Sequence, residues 1–98
     1  YNIYPKEIEL LLDEQPGVLE SAVIGTPHPD FGEGVVAVIV PEPGHAPTPE
    51  ALEAAIAPQL ARFKQPKRYV VADSLPRNTM GKVQKNLLRE EYKDSFTG

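Results

Sequence analysis

Val35-Val36-Ala37-Val38-Ile39-Val40 (VVAVIV) is an unbroken apolar run, and its reading as a strand covered on both faces decides the fold. A strand with one wet face alternates in polarity. This one does not, so helices are expected on both sides of its sheet. Toward the N-terminus, Val18 to Gly25 reads as a second strand through Ala22, Val23 and Ile24. Before it, Pro5 stands where a first helical residue should, and Ile8, Leu11 and Leu12 recur at helical spacing until Gln15-Pro16-Gly17 stops the pattern. Lys6, Glu7, Glu9 and Asp13 are expected to face outward from that helix.

Toward the C-terminus, PEPGHAPTP (residues 41–49) holds four prolines in nine residues and reads as a loop. Thr48 and Pro49 then supply the N-cap and first residue of a second helix, with Leu52, Ala55, Ile56 and Leu60 as its buried stripe. Pro58 interrupts that stripe and predicts a kink or two short helices. Tyr69 to Ala72 gives a third strand, and Val83, Leu87, Leu88 and Tyr92 form the apolar side of a terminal helix. The order predicts an α+β fold, a small mixed three-stranded sheet flanked by helices.

Ninety-eight residues make one domain, residues 1–98, too small for a complete multi-substrate enzyme. The opening Tyr1-Asn2-Ile3-Tyr4, without an initial Met, leads us to expect a domain taken from a longer protein. No run approaches the ~18 apolar residues of a membrane span and no signal-peptide pattern is present, so a soluble chain with no membrane partner is expected. The absence of cysteine excludes disulfides, thiolate catalysis and Cys-ligated zinc, and agrees with a reducing, cytoplasmic setting. The net charge of −4 hides two blocks. Residues 1–61 carry one base against ten acids, and residues 62–98 carry nine bases against four acids. That asymmetry suggests a polyanionic ligand, such as a nucleotide or phosphorylated cofactor. Nucleic acid fits less well, because the whole chain is acidic and the bases lack interleaved aromatics.

Three loops can carry chemistry. Leu75 to Lys85 (LPRNTMGKVQK) places Lys82 beside Gly81, whose backbone freedom allows a tight turn with the lysine at its tip. A lysine there is a point charge suited to phosphate or carboxylate oxygens, although a Gly-Lys pair alone is more often a solvated turn. The stretch is not a P-loop, since Pro76 and Val83 occupy positions that need Gly and Ser or Thr. Thr26 to Gly34 (TPHPDFGEG) is expected to be a rigid connector displaying His28, Asp30, Phe31 and Glu33. His28 and Asp30 are too few for a metal site, and His45 lies in the Pro-rich loop, so no metal site is expected. Arg62 to Arg68 (RFKQPKR) sets Phe63 among four bases. Phe63 either stacks a purine whose phosphates the cations hold, or caps the second helix against the core.

Together, YNIYPKEIE, GTPHPDFGE, LARFKQPKR and LPRNTMGKVQKNLLRE resemble, in order and spacing, the small C-terminal lid domain of the adenylate-forming acyl-CoA synthetases. The segment TMGKVQKN is most similar to malonyl-CoA synthetases. The resemblance implies an ATP-dependent acid-thiol ligase that adenylates a carboxylate, here malonate, with Mg2+, and transfers the acyl group to coenzyme A. Lys82 matches the family's catalytic lysine. Phe63 and Lys67 match residues that hold the coenzyme A nucleotide, and Phe31 matches a further aromatic contact. Gln65 departs from the base often found there, which would shift phosphate contacts to Lys64 or Arg68. The implied partners are the chain's own large N-terminal domain, absent here, and the acid. A GNAT-type acetyltransferase and a sirtuin-type deacetylase acting on Lys82 are also implied, with Lys85 as a solvated neighbour. Alone, such a domain is expected to be inactive. The alternatives are a synthetase for another carboxylic acid and a free-standing nucleotide- or RNA-binding module.

Overall fold

The computed structural model describes residues 3–97. Tyr1 and Asn2 of the YNIYPKEIE motif, and Gly98, lie outside the described residues. In chain order the elements are α1 (Pro5–Asp13), β1 (Val18–His28), β2 (Gly32–Pro41), α2 (Pro49–Ile56), β3 (Arg68–Val71) and α3 (Lys85–Glu91). The sheet runs β1-β2-β3, with β2 antiparallel to β1 and parallel to β3. A mixed three-stranded sheet flanked by helices is thus what the chain forms.

The central strand explains the layering. Val35 to Val40 are all at most 5% exposed, and their side chains alternate between two cores. Val35, Ala37 and Ile39 pack with Ile8 and Leu12 of α1 and Leu52 and Ile56 of α2. Val36, Val38 and Val40 face the other way, toward Ala22, Ile24, Leu75 and Leu88. Burying each such Val or Ile side chain is worth about 1.5–3 kcal/mol, so this strand is the chief apolar investment of the fold. Tyr69 of β3 packs against the first core, where burial and the Glu53 carboxylate hold its hydroxyl well above its usual ionisation range.

Local chemistry sets the helix limits. Thr48 caps α2 by accepting from the Ala51 N–H at 3.1 Å, and Pro58 ends the regular helix at Ile56, leaving a 3-10 turn at Ala57–Gln59. A second 3-10 turn, Arg62–Lys64, leads toward β3.

Four sequence expectations are corrected. The segment 26–34 is not an extended connector: β1 and β2 continue through it to the pair His28↔Gly32, leaving a three-residue turn at 29–31. Pro27 is tolerated because β1 lies at the sheet edge, where a missing N–H need cost no ladder bond. Glu9 does not face solvent; its Oε2 accepts from the Val23 N–H at 2.8 Å along the open edge of β1. Leu87 is 47% exposed, since Leu88 and Tyr92 carry the inner face of α3. Val83 precedes that helix and is bridged to Arg77 instead.

Gly17 has a positive φ of 86°, and an added Cβ would strike the His45 carbonyl of the Pro-rich loop. Gly44 has φ 77° but open space around it. Gly17→Ala is therefore expected to lose roughly 2 kcal/mol or more, combining backbone strain with overpacking. Gly44→Ala should lose only about 1 kcal/mol from strain alone. Urea unfolding of both variants checks the order, and equal losses would refute the close approach at Gly17.

Candidate functional site

The segment from Arg77 to Val83 is a small hydrogen-bonded hairpin rather than a mobile loop. Arg77 and Val83 form an antiparallel bridge. Inside it, the Asn78 N–H donates to the Lys82 carbonyl and the Gly81 N–H donates to the Asn78 carbonyl, each at 3.0 Å. The Asn78 side-chain oxygen also accepts from the Met80 and Lys82 N–H groups, at 2.9 and 3.0 Å. Gly81 turns the chain at φ 80°, a conformation costly for residues with a Cβ. Thr79, Met80 and Gly81 occupy the tip, and Lys82 stands on the return arm. Lys82 is exposed, and among the described residues no carboxylate pairs with its ammonium.

Its neighbours are engaged. Arg77 grips the Glu20 carboxylate of β1 with both terminal nitrogens, a bond that drives the guanidinium further above its usual range. Lys85 pairs with Glu9 at 2.7 Å, and Lys64 pairs with Glu7 at 2.9 Å. The acid-rich first half and the base-rich second half therefore meet across the fold. Three of the nine bases read as a polyanion signal, Lys64, Arg77 and Lys85, are paired internally with acids of the first block, which a linear charge count cannot show.

A separate cleft of about 340 Å³ opens beside the β1–β2 turn, lined among others by Phe31, Glu33, Arg62, Phe63, Gln65 and Lys67. Phe63 is 59% exposed there, so it is not a buried helix cap. The Lys67 ammonium lies 4.6 Å from the Phe31 ring centre, and its backbone N–H is tied to the Val35 carbonyl at 2.8 Å. His28 stacks beside Phe31 at 4.5 Å and Phe96 at 5.0 Å, supporting the turn from behind. The sequence-predicted Phe31, Phe63 and Lys67 are thus brought together. The Lys64 ammonium pairs with Glu7 and lies 4.3 Å from the Tyr4 ring centre and 5.8 Å from that of Phe63. Arg68 donates to the Ser95 hydroxyl at 3.2 Å. Gln65 donates to the carbonyls of Ala57 and Leu60, so its amide braces the preceding turn where a base would have projected. Arg62, one of the four bases expected around Phe63, and Glu33, expected to be displayed by the 26–34 segment, line the same cleft.

Residues 7–82 match the AMP-binding enzyme C-terminal domain. The chain belongs to that family. Among relatives of this AMP-binding domain, the fatty acid acyl-carrier-protein ligase ScoC of Streptomyces coeruleorubidus is 47% identical over 97 residues, covering 99% of this chain and 18% of that protein. The 4-chlorobenzoate–CoA ligase of a Pseudomonas species is 43% identical over 90 residues, covering 91% of this chain and 17% of that protein. The crystal structure of ATP-bound MatB from Rhodopseudomonas palustris superposes with a TM-score of 0.96 at 56% identity, over 99% of this chain and 19% of that one. The chain thus spans under a fifth of the length of these relatives. No helix among the described residues is long and apolar enough to cross a membrane. The same residues hold no group of three or more His, Cys, Asp or Glu side chains able to bind a metal ion.

The pairing pattern predicts lysine reactivity. Limited acylation with an N-hydroxysuccinimide acetate should label Lys82 several-fold faster than Lys64 or Lys85, whose ammonium groups are ion-paired. Peptide mass spectrometry reads the order, and equal rates would mean that the Glu7 and Glu9 pairs do not persist in solution.

Proposed function

We propose that this chain is the small mobile domain of an ATP-dependent acid-thiol ligase that adenylates malonate and passes the malonyl group to coenzyme A. The observation that carries the reading is a solvent-facing Lys82 with no carboxylate partner among the described residues, presented from a hydrogen-bonded hairpin. The 56% identity to MatB across 99% of the chain supports malonate as the acid.

In the first half-reaction a carboxylate oxygen of the acid attacks the α-phosphorus of ATP, and pyrophosphate leaves. Negative charge gathers on the α-phosphate oxygens as the bond forms. Lys82 bridges those oxygens and the acid's carboxylate, neutralising their repulsion and holding the attack geometry. Its flexible stem suits that role, because the oxygens move during the reaction. Mg2+, expected from the resemblance, would be held mainly by the large N-terminal domain and would offset phosphate charge. In the second half-reaction the coenzyme A thiol attacks the acyl carbon and AMP leaves. Phe31 and Phe63 flank the nucleotide ring of coenzyme A, while Lys67, with Arg62 beside it, meets its phosphates.

Geometry favours a swinging domain. Arg77 ties the Lys82 hairpin to Glu20, whereas the cleft is lined by Glu33, Gly34 and Val35, whose β1 partners are Pro27, Thr26 and Gly25, so it begins five positions along β1, about 17 Å away at ~3.3 Å per residue. One loop movement cannot bring both to the same reacting atoms, whereas rotation of the whole domain can. Lys82 is also the proposed target of a GNAT-type acetyltransferase and a sirtuin-type deacetylase in the cytoplasm. Its acetylation removes the charge that the first half-reaction needs.

The test rejoins the domain to its large partner and assays acyl-AMP and acyl-CoA formation separately with malonate, methylmalonate, acetate and longer acids. Malonate is expected to be preferred, and Lys82→Ala or acetylated Lys82 should lose about 10²–10³-fold in adenylation. Adenylation untouched by the substitution would reduce Lys82 to a turn residue. Preference for another acid would retain the ligase and overturn malonate.

A further inference from the structure

Arg77 uses both sides of its guanidinium. Its Nε donates at 3.0 Å to the carbonyl of Gly81, the residue directly before Lys82. Its Nη1 and Nη2 hold the two oxygens of Glu20, Nη1 at 3.1 Å. Three of the five guanidinium donors are therefore committed inside the domain. Asn78 closes the other side, with its own N–H on the Lys82 carbonyl and its side-chain oxygen on the Lys82 N–H. Both polar groups of the Lys82 backbone and the peptide before it are thus fixed to the hairpin, and the hairpin is fixed to β1.

We propose that Glu20, Arg77 and Asn78 are positioning residues that aim Lys82, and that Arg77 is not an anion ligand despite its place in the basic loop. This inference rests on the reading of Lys82 as the adenylating lysine. A charge–charge contact near 3 Å is sensitive to placement, and a misplacement of ~1 Å can cost about 10²-fold in rate. Held in this way, the hairpin arrives at the reacting groups already shaped, and only the Lys82 stem has to find its partners. Glu20 lies on β1, far from the loop in sequence, which is why inspection of the loop alone would assign Arg77 to phosphate.

The two roles predict opposite effects of changing Glu20. In the complete ligase, Glu20→Gln and Arg77→Met should each lower adenylation kcat by roughly tenfold, a fraction of the full misplacement cost, with little change in KM for ATP. Arg77→Lys, which can keep one of the two contacts but not both, should fall between Arg77→Met and the parent. Thioester formation from preformed acyl-adenylate should be retained in all three. If Arg77 binds phosphate, Glu20→Gln frees it and adenylation holds or rises, while Arg77→Met raises KM for ATP; that result overturns the proposal. Amide hydrogen exchange gives a readout independent of activity. Exchange at Met80 and Lys82 should accelerate in Glu20→Gln at an unchanged melting temperature, and unaltered exchange overturns the positioning role. Lys82→Ala run in parallel separates the two levels: full adenylation there removes the catalytic reading, while exchange still decides whether Glu20 and Arg77 hold the hairpin.

Discussion

Burial of β2 on both faces is the constraint on which the rest of the structure depends. A strand made of Val35 to Val40 cannot leave either surface wet, so the chain must cover it twice. The N-terminal half supplies α1 and the antiparallel partner β1. The C-terminal half supplies the parallel partner β3, the Leu75 anchor and α3. A parallel partner needs a crossover, and α2 serves as that connection while filling the first core. The second core is therefore shared between residues before and after position 61, whereas the buried members of the first all lie within residues 8–60.

That interleaving also explains the charge distribution. Because the halves are pressed together, acids of α1 and β1 come to lie beside bases from residues 62–98, as in Glu7 with Lys64, Glu9 with Lys85 and Glu20 with Arg77. The Glu7–Lys64 and Glu20–Arg77 pairs are exposed enough that they steer geometry more than they add stability, whereas the Glu9 side chain in the pair with Lys85 is only 16% exposed. Their consequence is selective. Pairing Arg77 and Lys85 on either side of the hairpin leaves Lys82 as the loop cation without a carboxylate partner among the described residues. The cleft at the other end of the β1–β2 hairpin has a complementary character, with two part-exposed aromatic rings and the cations Arg62 and Lys67.

Much of this was legible in the sequence wherever one physical rule dominated. The apolar run 35–40 identified the doubly covered strand, Thr48-Pro49 identified the start of α2, and Pro58 identified its end. Four motifs in order identified the family, and Phe31, Phe63 and Lys67 did converge. The failures share a cause, which is that local composition is silent about partners distant in sequence. Proline and glycine counts marked 26–34 as a loop, yet register with β2 extends the strand to His28 because an edge position forgives Pro27. Glu9 read as solvated until the open N–H of Val23 came beside it. For Lys64 and Arg68 the local sequence is equally silent about the Glu7 carboxylate and the Ser95 hydroxyl that come to lie beside them.

The central claim is that the two ends of one small sheet serve two successive half-reactions. The most direct test is single-turnover thioester formation from preformed acyl-adenylate, measured in the complete ligase for Phe63→Ala beside Lys82→Ala. The account predicts that Phe63→Ala slows this step and raises the coenzyme A concentration it needs, while Lys82→Ala leaves it nearly intact. Equal impairment by both substitutions would contradict the division and return the two sites to a single shared role.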